Sequence, residues 1–156
     1  MTTGYINTVK TALIAHIADA DADLEDEGDN ANVLGSWQID IWTLNELPVV
    51  TVRVTSSNDH EVAMGRKLST TENGIYTTFF FTAHVFESVS ESGDASESAM
   101  ELAEKIKEQL LKSDDASTSG IVWYERITIR EAPTGMERVA RVILEGYVFC
   151  KRPFSS

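Results

Sequence analysis

The side chains able to do chemistry are few and scattered. Three histidines, His16, His60 and His84, stand far apart in the chain. None belongs to the His-Glu-x-x-His spacing that sets two imidazoles on one helix face around zinc. They read as unrelated structural or surface histidines, and any enzymatic reading would require a pocket that joins at least two of them. Asp19, Asp21 and Asp23 imitate the opening of a calcium loop. Leu24, however, stands where the bend needs glycine, and Asn30 where the twelfth-place glutamate belongs. The run therefore reads as solvated acid, suited at most to weak cation condensation. The single cysteine, Cys150, can form neither an internal disulfide nor a cysteine zinc cluster, and reads as a small apolar residue rather than a nucleophile. No nucleophile elbow, phosphate loop or dinucleotide fingerprint occurs. With 25 acids in the chain, chance pairings of carboxylates carry no signal for glycoside chemistry. The reading is a chain with no catalytic residue, no metal site and no cofactor. What remains is a set of arginines, Arg126, Arg130, Arg138 and Arg141. They either form a basic patch that meets the acidic stretch Asp19–Asp29 of the same chain or of a neighbour, or pair across strands with Glu125, Glu131, Glu137 and Glu145.

These side chains need elements to hold them. Ile6, Val9, Leu13, Ile14 and Ile17 recur at three- and four-residue steps and predict an amphipathic helix from about Thr3 to Ala18, capped by Thr2 or Thr3. The following stretch, Asp19–Asn30, holds seven acids and no base, and reads as a frayed extension or loop. Trp37 to Thr43 alternates as a half-buried strand, with Trp37, Ile39 and Ile41 on one face. Val50, Val52 and Val54 line a second strand, Ser56–Asp59 reads as a turn, and His60 to Lys67 as a weaker strand. Glu72-Asn-Gly74 signals a reversal. Ile75 to Phe86 is the longest strand candidate and carries aromatics on both faces, so it needs cover on both. A helix from about Ala95 to Leu111 follows, with Ala95, Ala99, Leu102, Ala103, Ile106 and Leu110 in one stripe, Asp94 at its cap and a Glu101–Lys105 pair along its surface. Two strands close the chain. In the first, Ile121, Trp123, Ile127 and Ile129 share a face; in the second, from Arg138 to Cys150, Ala140, Val142, Leu144, Gly146, Val148 and Cys150 do. The expected fold class is α+β: an antiparallel sheet of about six strands with two main helices on one side, in the order helix, four strands, helix, two strands.

Length and composition bound the function. The 156 residues fit a single domain spanning 1–156, and 42% hydrophobic residues suffice for a core. No apolar run reaches the roughly 18–20 residues of a membrane span, and Met1 to Lys10 lacks the features of a secretory signal. The net charge is −12, which repels nucleic-acid phosphates and anionic lipids, so neither a membrane nor direct sequence-specific nucleic-acid binding is expected. The charge is uneven. Residues 1–119 hold 21 acids and 7 bases, whereas residues 120–156 hold 4 acids and 6 bases. One face of the fold is thus suited to meet acidic surface, including a copy of itself. A salt-loving source accounts for the acidity, and so does a merely acidic mesophilic protein.

The layout resembles the tail terminator proteins of long-tailed viruses, also called tail completion or neck proteins. The resemblance rests on the first helix with Tyr5-Ile-Asn-Thr-Val-Lys-Thr-Ala-Leu-Ile, the strand Pro48-Val-Val-Thr-Val-Arg-Val, and the aromatic strand Ile75-Tyr-Thr-Thr-Phe-Phe-Phe-Thr-Ala-His-Val-Phe. A small-residue link, the helix ending in Leu110-Leu111 and two final strands complete it. It covers roughly residues 3–150, and the acidic insert Asp19–Asn30 is longer than the family pattern. The resemblance implies a non-enzymatic virion structural protein. Such a protein forms a six-membered ring at the head-proximal end of the tail tube, stops tube growth and joins the tail to the head connector. Its partners would be copies of itself, the tail tube protein and head–tail connector proteins, in the tail or neck of the virion and, during assembly, in the host cytoplasm. A virus of a halophilic archaeon would account for the acidity. The candidate subunit-interface residues are then Arg126, Arg130, Arg138, Arg141, Phe79 and Phe81. A head-to-tail adaptor or tail tube subunit is the nearest alternative. A small cellular α+β ligand-binding protein or enzyme is an alternative of another class, as is a chaperone-like or toxin-neutralising acidic partner.

Overall fold

The computed structural model of the chain describes residues 4–28, 31–35, 48–60, 74–88, 95–113, 120–134 and 139–153. Within these lie helix α1 (Tyr5–Ala18), strands β1 (Val33–Leu34), β2 (Val49–His60) and β3 (Gly74–Ser88), helix α2 (Ala95–Lys112), and strands β4 (Ile121–Ala132) and β5 (Val139–Pro153). The five strands form one sheet in the order β1-β2-β3-β5-β4. The long aromatic strand β3 sits at its centre, antiparallel to β2 on one side and to β5 on the other, and β5 is antiparallel to β4.

Both helices cover the same face. On β3 the residues Ile75, Thr77, Phe79, Phe81, Ala83 and Val85 are all buried. Their register partners Val52 and Val54 on β2, and Val142, Leu144, Val148 and Cys150 on β5, are buried with them. Val9, Leu13 and Ile17 of α1, and Ala99, Leu102, Ala103, Ile106 and Leu110 of α2, close this core from above. Each fully buried Leu or Ile here contributes about 1.5–3 kcal/mol of transfer free energy. Gly146 lies under the Phe81 ring; a Cβ there would stand 2.9 Å from Phe81 Cε1 and 3.0 Å from Ile127 Cγ1, so only glycine lets the ring pack onto β5.

Several expectations change. The sheet is not antiparallel throughout, because β1 runs parallel to β2, pairing Val33 with Val50. Three strands, not four, separate the helices among the described residues. The turn expected at Ser56–Asp59 is strand: β2 continues to His60 through an irregularity between Thr55 and Ser57, which absorbs residues of turn composition without ending the ladder. Gly4 takes the N-cap position of α1 without a side-chain cap, in place of the threonine expected there. Two register shifts in β4, between Ile121 and Trp123 and between Glu125 and Thr128, break its simple alternation. Tyr124, not Trp123, is therefore buried with Ile121 and Ile127. Lys105 pairs with Asp21 at 2.9 Å rather than resting on Glu101. The expected strand at Trp37–Thr43, residues 61–67 of the weak strand, Glu72-Asn73 and the Asp94 cap lie outside the described residues. Among the described residues no helix is long and apolar enough to cross a membrane.

Candidate functional site

The second face of the sheet is the place to look. In β3 it carries Tyr76, Thr78, Phe80, Thr82 and His84, none of them fully buried. Register places Phe149, Tyr147 and Glu145 of β5 beside Thr78, Phe80 and Thr82, and Trp123 and Glu125 of β4 beside Phe149 and Tyr147. The rings form a band. Trp123 stacks on Phe149 at 4.4 Å between centroids, and Phe149 on Tyr76 at 5.3 Å, both nearly parallel. Tyr147 and Phe80 meet at 5.5 Å. Trp123 remains 46% exposed. At one end of this face Val49, Thr51, Phe86 and Ile143 are buried; the aromatic band lies beyond them and stays half-open. Neither α1 nor α2 packs on it, since both lie on the opposite face. Partly exposed rings grouped in this way make the face the candidate interaction surface.

The rim is basic. Arg126 stands at the second irregularity of β4 in a left-handed conformation (φ 54°), with its guanidinium carbon 5.7 Å from the Tyr147 ring centre. Such a conformation is costly for any residue with a Cβ. Arg130 donates to Glu145 through Nε and pairs with it through Nη2 at 2.9 Å. Arg141 donates from Nη2 to the Pro133 carbonyl at 2.7 Å, while its Nε is buried without an acceptor among the described residues. Half-burial lowers the pKa of His84, and the nearby positive charges of Arg141 and Arg130 lower it further, against a smaller opposing pull from Glu145.

The expected site residues divide. Arg126, Arg130 and Arg141 lie on this face, spread along β4 and β5 rather than clustered, and Arg138 lies outside the described residues. Phe79 and Phe81, expected at an interface, are instead 2% and 0% exposed in the helix-covered core. Their neighbours one residue out of phase, Phe80 and Tyr76, are the accessible rings of that strand. His16 and His84 do not converge: His16 bonds Tyr124 on the helix side of the sheet, and His84 lies on the other side. The side chain of His60 is outside the described set. Trp123, Tyr147 and Phe149 were not singled out from sequence. Tyr147 and Phe149 carried the signal of an aromatic alternation in β5, whereas the β4 irregularities hid the placement of Trp123.

The opposite surface is acidic. Asp19, Asp23, Glu25, Asp26 and Glu27 are exposed in the turn after α1, and Glu97, Glu101, Glu104 and Glu108 along α2. The turn is held by design of its side chains: Leu24 is buried, and Asn32 accepts from the Glu25 amide while donating to the Asp23 and Pro48 carbonyls. Asp21 accepts the Asp23 amide and the Lys105 ammonium, which together hold its carboxyl below the usual range. Between this turn and α2 lies a cleft of about 180 Å³ lined by Asp21, Asp23, Glu87 and Glu101, with Lys105 as its base. Glu87 is raised above the usual carboxylate range, chiefly by burial.

No family model and no curated protein matches the chain. Among solved structures, a chain described as part of the virion of a native gene transfer agent particle aligns with a TM-score of 0.47 and 14% sequence identity, over 90% of this chain and 93% of that one.

Proposed function

We propose that the protein is a virion structural protein of the tail terminator type, without catalytic activity. It assembles from copies of itself into a six-membered ring at the head-proximal end of the tail tube, ends tube growth and presents a surface to the head connector. The observation that carries this reading is the aromatic band Trp123–Phe149–Tyr76, stacked on a sheet face that neither helix covers. The order of helices and long strands, with an aromatic central strand, fits the same reading. So does the two-layer polarity, arginines on the sheet face away from the helices and carboxylates over the helices, because unlike faces on one chain suit heterologous contacts, which form rings where the rotation closes. A head-to-tail adaptor or tube subunit would use the same surfaces.

The test is the mass and shape of the purified full chain, by light scattering and negative-stain microscopy at low and high salt. Rings of about six subunits are expected, and the double variant Trp123→Ala, Phe149→Ala should shift the mass toward the monomer while keeping its circular dichroism. A strict monomer in every salt condition would overturn the proposal.

A further inference from the structure

Of the three described candidate arginines, two already have oxygen partners: Arg130 holds Glu145, and Arg141 holds the Pro133 carbonyl. Arg126 is different. It is exposed, its guanidinium lies near the Tyr147 ring, and among the described residues no carboxylate pairs with it. It also occupies a backbone conformation that glycine would take without cost. A long cationic side chain at such a place brings strain to the fold and gives no ion pair within the described residues in return. The bulge that imposes this conformation lies on β4, an end strand of the sheet, and turns the arginine out beside the aromatic band.

On the other layer, the turn 19–28 offers Asp19, Asp23, Glu25, Asp26 and Glu27 exposed. The ion pair found there, Asp21 with Lys105, leaves these five carboxylates without a cationic partner among the described residues. The two surfaces sit on opposite sides of the sheet, so one chain cannot bring them together, whereas two copies stacked in the same sense can.

We propose that Arg126 anchors a head-to-tail contact in which the aromatic sheet face of one copy receives the acidic turn 19–28 of the next. The occupant of the half-open aromatic band is thus a second copy of this chain, chosen by charge complementarity, and the contact is heterologous, repeating from copy to copy. This inference rests on the self-assembly proposed above and names the surfaces it uses. The aromatic band supplies the apolar centre, and Arg126, backed by Tyr147, supplies orientation.

Sedimentation velocity of the full chain across a concentration series tests it, with four proteins beside wild type: Arg126→Gly, Arg126→Glu, the turn variant Asp26→Lys with Glu27→Lys, and that turn variant combined with Arg126→Glu. Arg126→Gly should weaken self-association by up to about fivefold while its melting temperature stays at or above wild type, because the backbone strain is relieved as the charge is lost. The two reversals should each weaken association, and their combination should recover most of the loss. If Arg126→Gly and Arg126→Glu assemble like wild type, this contact is overturned; intact rings in those variants would leave the ring reading standing. If the variants behave as expected but microscopy shows only dimers or open filaments, the contact holds and the ring reading falls. A wild-type chain that never associates overturns both.

Discussion

The Cys150 thiol lies within β5 on the helix-covered face, buried, and desolvation pushes it up to about 12, with only a small opposing pull from the Tyr5 hydroxyl. Tyr5 donates to the Lys151 carbonyl, and its own hydroxyl is shifted upward, mainly by burial. Two consequences follow from that geometry. A thiol that stays protonated and closed off should react with a charged disulfide reagent near pH 8 only as fast as the chain unfolds; colorimetric thiol titration with and without denaturant checks this, and rapid labelling of the native chain would contradict the burial. The same shift links stability to pH. The unfolded thiol ionises near its ordinary 9.0 and the folded one near 12, so between these values the unfolded chain holds fewer protons. Stability is therefore complete below that window and falls as pH rises through it, with Tyr5 acting in the same direction. Urea midpoints at about pH 8 and about pH 11 should differ, the second being lower, and Cys150→Ala should reduce the difference.

Periodicity alone locates most of the helices and strands. The apolar stripes of α1 and α2, the long β3 and the alternation of β5 all stand within a few residues of where the spacing puts them. What stayed hidden has physical causes. A bulge leaves no mark in a period-two pattern except a missed step, so Ser56–Asp59 looked like a turn and Trp123 looked like core. Aromatics on both faces of β3 do not tell which face the helices take, so the burial of Phe79 and Phe81 is not legible in the period. The two-residue β1 is too short to show any period at all. Its position depends on Asn32, just before it, whose amide ties the acidic turn to the Pro48 carbonyl at the start of β2. Asn32→Ala would remove that amide and leave the Glu25 amide without its present acceptor. A loss of about 1–3 kcal/mol is expected, seen as a lower urea midpoint. Hydrogen exchange at the Glu25 and Val33 amides, which the Asn32 side chain and the Glu25 carbonyl now hold, should quicken more than at the β3–β5 ladder. Equal protection in variant and wild type would show that the turn is held without the Asn32 side chain.

Any two copies must approach against a net charge of −12 each. Treated as points about 35 Å apart in water, such charges repel by on the order of 10 kcal/mol before screening. An exposed ion pair at a contact returns only about 0.2–1 kcal/mol. Repulsion therefore wins in very dilute salt, even though the surfaces that meet are of opposite sign. Salt acts unequally on the two terms. At about 0.01 M the screening length is ~30 Å and the full charge is felt; at about 0.15 M it is ~8 Å, so remote carboxylates drop out while groups at the contact still act on one another. Self-association should accordingly strengthen about tenfold or more between those two conditions, the reverse of the usual behaviour of an interface held by opposite charges. From about 0.15 M to about 1 M the contact pairs are screened in turn, and the stacked rings around Trp123 have to hold the copies together. Wild type should then keep most of its association, the Arg126→Glu chain should approach wild type as salt rises, and Trp123→Ala should remain weak at every salt concentration. Light scattering over a potassium chloride series gives all three curves. Association that is strongest at the lowest salt and declines steadily would mean that local ion pairs, not the rings, hold the assembly together, and that the −12 charge is neutralised where the copies touch.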